Sequence, residues 1–292
     1  MSTAVPAPPA VELSQASIAR RETLGQLARS KTFITGAIII AFWVFCAIFG
    51  TKIAPHDPLD QSFPQLLGLS RTYPFGTDQL GRDVFSRVLA GAHDILIIAP
   101  LATLLGIVGG TIIGLVTGYF RGVVDDVVSR VVDAVLALPL IVIAVTVLVG
   151  LGHSTLTVIV VIGLVFTPIV SRTVRAAVLA ERQLDYVAAS KLLGERAPYV
   201  MFVEILPNVM APIVVEATVR LGYAIFAVAG LTFLGFGVQP PSPDWALQIA
   251  DNYTLLNAGT YWWTVLFPAL AIISLVVAVN LVADGLARVL SR

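Results

Sequence analysis

Five long stretches of this chain contain no Asp, Glu, Lys or Arg: residues 32–51, 95–120, 134–171, 221–243 and 252–283. A helix that crosses a bilayer needs about 20 mostly apolar residues, so each stretch is long enough to span. The third is too long for one crossing. As a single helix, residues 134–171 would extend roughly 57 Å against a hydrocarbon core of about 30 Å, so it must fold back on itself. Gly150, Gly152, Ser154 and Thr155 mark the reversal, because glycines end helices and Ser/Thr begin them. This predicts helices near 131–150 and 155–172. The fourth stretch reads back toward Pro207, interrupted by Glu216 and Arg220. The last divides into an interfacial part, 253–263, and a helix from about Thr264 to Leu286. The expectation is an all-α polytopic membrane protein with about six transmembrane helices.

Composition agrees. The chain is 57% hydrophobic and 12% charged, and its mean hydropathy is +0.91. Soluble domains carry roughly 25% charged residues, so the bilayer is the solvent here. Lys+Arg and Asp+Glu balance at 18 each, which gives no basic field for nucleic acid. The single cysteine, Cys46, lies in an apolar run and excludes an internal disulfide and a thiolate metal site. The first run also exceeds the ~7–15 apolar residues of a signal-peptide core, and reads as an uncleaved anchor.

Basic residues set the orientation. Arg20, Arg21, Arg29, Lys31, Arg121, Arg130, Arg172, Arg175, Arg182, Lys191, Arg196, Arg288 and Arg292 fall on one side, whereas Lys52, Arg71, Arg82 and Arg87 fall on the other. The positive-inside rule then places both termini in the cytoplasm of a multi-pass cell (inner) membrane protein. Tyr253, Tyr261, Trp262 and Trp263 fall at the outer interface, where aromatic rings anchor. The division expected is a cytoplasmic tail over 1–31, a first span with an extracytoplasmic segment over 32–92, and a five-helix core over 93–292.

Two features bear on packing. Gly106, Gly110, Gly114 and Gly118 form a smooth face on the second span, suited either to packing inside the bundle or to a subunit interface. Glu216 and Arg220 are four residues apart and can neutralise each other on one helix face. They serve either as an ion pair fixing helices or as part of a transport path.

The longest internal cytoplasmic segment, with a loop at about 176–204, has its own pattern. Asp185, Tyr186, Ala188, Ala189, Ser190 and Lys191 lie in an Ala/Leu-rich stretch that predicts a short helix through Leu193. Gly194 suits its C-terminal cap, and Pro198 the first turn of a second helix. Such a short helix fits a groove on a partner. The Ala-Ala-Ser run, with Gly194 and Leu206-Pro207-Asn208 at fixed distance beyond it, resembles the EAA loop of ATP-binding cassette (ABC) importer permeases. Ala188 stands where that family often has Glu, and Glu204 where many members have a basic residue or His. Residues 75–87 and 231–241 resemble signatures of the C-type permease of the dipeptide/oligopeptide/nickel transport family. Tyr73 and Val228 depart from that pattern, replacing a frequent His and a frequent Glu.

The resemblance implies a type I ABC importer permease fold and a docking role for the loop. The partners it implies are two cytosolic ABC ATPase subunits, a homologous second permease, an extracytoplasmic substrate-binding protein and membrane lipid. ATP and Mg would be bound by the ATPases, with no cofactor, metal or catalytic residue in this chain and no nucleic-acid partner. Inward transport of di- or oligopeptides is the favoured activity, with nickel chelates or other small solutes as the alternative. From the residues alone, Thr77 or Asp78 can cap a short helix in the first outer motif, with Arg82, Asp83 and Arg87 forming a charged face. That element could plug the outer mouth, meet a binding protein, or only complete the fold.

Other classes fit less well. The chain has no glycine-rich phosphate loop ending in Lys and Ser/Thr, so ATP hydrolysis is not its own. An ion-coupled transporter would be expected to show inverted repeats, and no convincing repeat relates the halves. His56, His93 and His153 are far apart in sequence, and an intramembrane enzyme would need a nucleophile with its base, paired aspartates or clustered zinc ligands.

Overall fold

The computed structural model describes residue 27 and residues 29–290; Arg20, Arg21, Arg292 and the rest of the 1–26 tail lie outside the described residues. No strand occurs among them beyond one isolated bridge, Thr77 to Asp83. Among the described residues five helices are long and apolar enough to cross a membrane, and a bent pair, counted as one span, brings the number to as many as six.

Helix α1, Lys31–Ile53, starts at Ser30, whose hydroxyl accepts from the Phe33 amide at 3.4 Å. After an irregular outer segment come α2, Val84–Ala90, and α3, Ala92–Phe120, joined through Gly91. The second span therefore begins earlier than its charge-free run, because Asp94 is tolerated at its outer end, where it accepts from the Ser242 hydroxyl at 2.6 Å. The cap of α2 is Asp83, not Thr77 or Asp78. Its carboxylate accepts from the Phe85 and Ser86 amides, while Thr77 and Asp78 hold the preceding loop.

The third span differs from the expected straight helix near 131–150. It comprises α4, Val123–Leu136, and α5, Leu140–Leu151, bent by 87°. Pro139 is the cause: it lacks an N–H, and its ring disfavours helical geometry at Leu138. The reversal at Gly152, with φ of +86°, leads through the Ser154 cap into α6, Thr155–Glu181. This helix runs well past residue 172, carrying Arg172 and Arg175 on its C-terminal extension.

Helix α7, Asp185–Leu192, is followed by a one-turn helix, Ala197–Tyr199, a π-helical stretch, Val200–Ile205, and a last turn, Leu206–Asn208. Then comes α8, Met210–Phe233. It ends ten residues short of the apolar run, because Gly235 adopts φ +85° and turns the chain back, with the Phe236 amide donating to Leu231 O at 2.8 Å. Residues after it form α9, Trp245–Asn252, a helix missed by a search for charge-free runs. A 3-10 stretch and α10, Trp263–Leu290, complete the chain.

Helices α3 and α6 form the centre. Cβ atoms placed on Gly106, Gly110, Gly114 and Gly118 would come within 2.5–2.9 Å of Phe166, Val170, Val174 and Val178, so the two backbones approach as closely as glycine permits. The contact lies inside this chain. Around it one core gathers near the N-terminal end of α3, including Trp43, Ile95, Leu148, Ile162, Ile225 and Leu275. A second core, against the segment that links α6 to α8, includes Leu115, Val174, Val187, Val200 and Ile213.

Candidate functional site

The segment that links α6 to α8 is built as a two-faced element. On the inner face of α7, Val187 is fully buried in the second core and Ser190 is nearly so. Tyr186 points the same way: its hydroxyl donates to Glu181 Oε1 at 2.7 Å and accepts from Asn208 Nδ2 at 3.1 Å. Burial, and then the bond to Glu181, push its pKa up to about 12, so the phenol remains a donor at neutral pH. One hydroxyl thus joins the end of α6, the loop helix and the turn before α8. Asn208 also donates to Glu204 O at 2.8 Å.

The outer face of α7 is different. Asp185, Ala188, Ala189 and Lys191 are exposed, and Leu192 and Leu193 are 90% and 82% exposed. Gly194 has φ +80°, which L side chains avoid, and a Cβ there would meet nothing within 4 Å. The glycine is required by the backbone turn that ends α7, in which the Glu195 amide bonds Ser190 O. Leu206 is half-buried against the second core, whereas Pro207 is exposed. Lys191 lies over the Tyr119 ring at 4.9 Å, and burial, then the charge of Arg182, lower its pKa. The sequence pattern missed the two leucines because it read them as part of a helix face. Their exposure becomes visible only once Val187 and Ser190 fix which side is inward.

Glu216 and Arg220 pair at 2.6 Å within α8, and the Thr173 hydroxyl of α6 lies 3.4 Å from Glu216 Oε2. Both side chains are largely covered, at 16% exposure for Arg220 and 13% for Glu216.

The outer motif is buried rather than presented as a charged face. Asp78, Arg82, Asp83 and Arg87 are 7% exposed or less. Arg82 Nε donates to Asp78 Oδ2 at 2.6 Å and its Nη2 to Asp251 Oδ2 at 2.9 Å, tying the outer segment to α9. His56 Nδ1 lies 3.1 Å from Asp83 Oδ2. Trp263 is buried, with its indole N–H on Thr77 O at 3.2 Å, so it locks this layer instead of anchoring at the lipid interface. Tyr253 and Trp262 remain exposed. Trp245 is fully buried and donates to Val88 O at 2.7 Å. No group of three or more His, Cys, Asp and Glu side chains that could hold a metal occurs among the described residues.

A family model described as the binding-protein-dependent transport system inner membrane component matches residues 110–292, and one described as the N-terminal TM domain of oligopeptide transport permease C matches residues 19–69. The chain is 40% identical to the dipeptide transport system permease protein DppC of Escherichia coli K12 over 265 residues, 88% of each chain. It is 36% identical to the di/tripeptide transport system permease protein DppC of Pseudomonas aeruginosa, over 91% of this chain and 89% of the relative. A glutathione transport system permease protein, GsiD of Escherichia coli, is 34% identical over 97% of this chain and 93% of the relative. Several apolar spans, a glycine-packed helix pair and these matches lead to one conclusion: the chain belongs to the family of inner membrane components of binding-protein-dependent transport systems, the multi-pass permeases of ABC importers.

Proposed function

We propose that this permease moves di- and tripeptides inward and that its cytoplasmic segment from Leu184 to Asn208 docks on an ABC ATPase. The carrying observation is the outer face of α7, where Leu192 and Leu193 stand in water on a helix whose opposite face is locked into the membrane core. Exposed apolar side chains on a rigid support mark an interaction surface. Ala188 and Ala189 beside them leave a low profile that admits close approach. Movement of the ATPase then reaches α6 and α8 together, through Tyr186, Glu181 and Asn208. ATP binding drives transport insofar as the closed ATPase favours one permease state over the other.

In this reading both termini are cytoplasmic, following the asymmetry of Lys and Arg. ATP and Mg sit in two partner ATPases, a homologous second permease completes the pathway, and an extracytoplasmic binding protein delivers the ligand to the outer layer. Peptide import is supported by the names of the relatives at 36% and 40% identity. The relative named for glutathione supports a second reading, a glutathione importer, which differs only in the tripeptide carried.

The test is uptake of labelled dialanine and glutathione by cells that depend on this transporter, with and without Leu192→Asp/Leu193→Asp. ATP-dependent dialanine uptake that the double variant abolishes, with loss of the co-purifying ATPases, is the expected result. Uptake unaffected by the double variant would contradict the docking role, and uptake of glutathione alone would replace the cargo.

A further inference from the structure

A polar side chain on the outward surface of a spanning helix is costly where it meets acyl chains. Its position therefore distinguishes the lipid-facing side of a permease from the side that meets water or protein. Between Gly36 and Gly50 the exposed side chains of α1 are all apolar, and so are those of α3 from Ile97 onward, such as Leu101, Leu104 and Val108. Helices α8 and α10 depart from this. Near the middle of α8, Tyr223 is 57% and Phe226 70% exposed, and Asn280 of α10 is exposed beside them. Neither the Tyr223 hydroxyl nor the Asn280 carboxamide has a hydrogen-bond partner among the described residues.

These groups surround a space made by a missing side chain. A Cβ on Gly222 would lie 3.2 Å from Asn280 Oδ1. The depression is about 250 Å3, lined by Val219, Gly222, Tyr223, Phe226, Val276 and Asn280. Toward the cytoplasmic end of α8 lies the Glu216–Arg220 pair, and the Arg220 guanidinium sits 5.1 Å from the centre of the Tyr223 ring. An amide, a phenol, a phenyl ring and a charge pair thus lie along one side of the middle of α8.

We propose that this face is a peptide-contact site on the translocation path. The inference rests on the peptide-import reading. The Asn280 carboxamide offers a donor and an acceptor to a peptide group. Tyr223 and Phe226 receive an apolar side chain, while Arg220 and Glu216 meet the terminal carboxylate and ammonium of a zwitterion. A zwitterion brings no net charge to the pair, so each charge keeps a partner as the peptide passes. The depression is smaller than the ligand pockets of about 300–1,000 Å3, which suits brief contact in transit.

The test uses the complete transporter, with both permeases, both ATPases and its binding protein, reconstituted in vesicles and supplied with saturating dialanine. Asn280→Leu is expected to lower the ATP-dependent uptake rate about tenfold, corresponding to roughly 1.4 kcal/mol. Asn280→Gln is expected to retain most of it, and Leu101→Ala on the lipid-facing side to match wild type. Equal uptake by wild type and Asn280→Leu would overturn the site. So would loss of the second permease from the Asn280→Leu complex, since the face would then be a subunit interface. Failure of the wild-type transporter to carry dialanine would instead remove the import reading on which the inference rests.

Discussion

The outer layer and the cytoplasmic segment are both short helices linked by irregular chain, yet they treat charge and apolar surface in opposite ways. The outer layer buries Asp78, Arg82, Asp83, Arg87 and Asp244 and satisfies most of their polar atoms internally. The cytoplasmic segment keeps its charged residues outside and leaves Leu192 and Leu193 in water. Removing charges from water costs several kcal/mol per ion unless partners compensate, so these buried pairs bind the outer layer into a cooperative unit. Exposed leucines carry no such internal compensation. Under the proposed docking role, the difference separates a part held together by its own polar contacts from a part that offers apolar surface to an ATPase.

The comparison breaks most readily at Asp78. Its carboxylate holds Arg82 and accepts from the Leu80 and Arg82 amides at 2.9 Å. Asp78→Ala leaves a buried guanidinium without its nearest partner and should cost about 3–5 kcal/mol. A large fall in melting temperature of the detergent-purified chain is expected, whereas Leu192→Asp should leave that temperature unchanged. A small shift for Asp78→Ala would mean the layer is not a cooperative unit.

An intermediate effect is expected from Tyr186→Phe, which removes two hydrogen bonds worth about 1 kcal/mol each. The ATPases should still co-purify, because the exposed face of α7 is untouched, while peptide carried per ATP hydrolysed falls severalfold. Unchanged coupling would show that the phenol is only a packing group.

The smallest effect concerns Asp244, which caps α9 through Oδ1 while its buried Oδ2 has no hydrogen-bond partner among the described residues. Burial raises its pKa from 3.8 to about 6. Between these values the folded chain holds a proton that the unfolded chain has released, so this group makes stability fall as pH rises from about 4 to about 6 and leaves it level above. Asp244→Asn should flatten that part of the pH–stability curve, and an unaltered slope would assign it to other groups.

Much of this was legible in the sequence because lipid imposes simple demands. Charge-free runs located the spans, Gly194 and Pro198 marked the turns around α7, and the glycine stripe announced a close helix contact. The bend at Pro139 was less visible, since an apolar run looks the same through a kink. Helix α9 escaped because Asp251 interrupts its charge pattern and its burial depends on Gln79 and Arg82, distant in sequence. The outer motif looked amphipathic because sequence periodicity cannot tell a charge facing water from one facing a buried partner. Tyr223 and Asn280 could be linked only by three-dimensional contact, being on different helices.

The most direct test of the contrast is site-specific cross-linking in the assembled transporter. The sole native cysteine, Cys46, is buried, so a cysteine introduced by Leu192→Cys or, on the outer segment, by Leu69→Cys would report its own surroundings. Transfer of the cross-link from Leu192→Cys to an ATPase, with none to an ATPase from Leu69→Cys, is the result expected. A product between Leu192→Cys and the binding protein, or no protein product from that position while the ATPases remain bound, would contradict the assignment of α7 as the docking element.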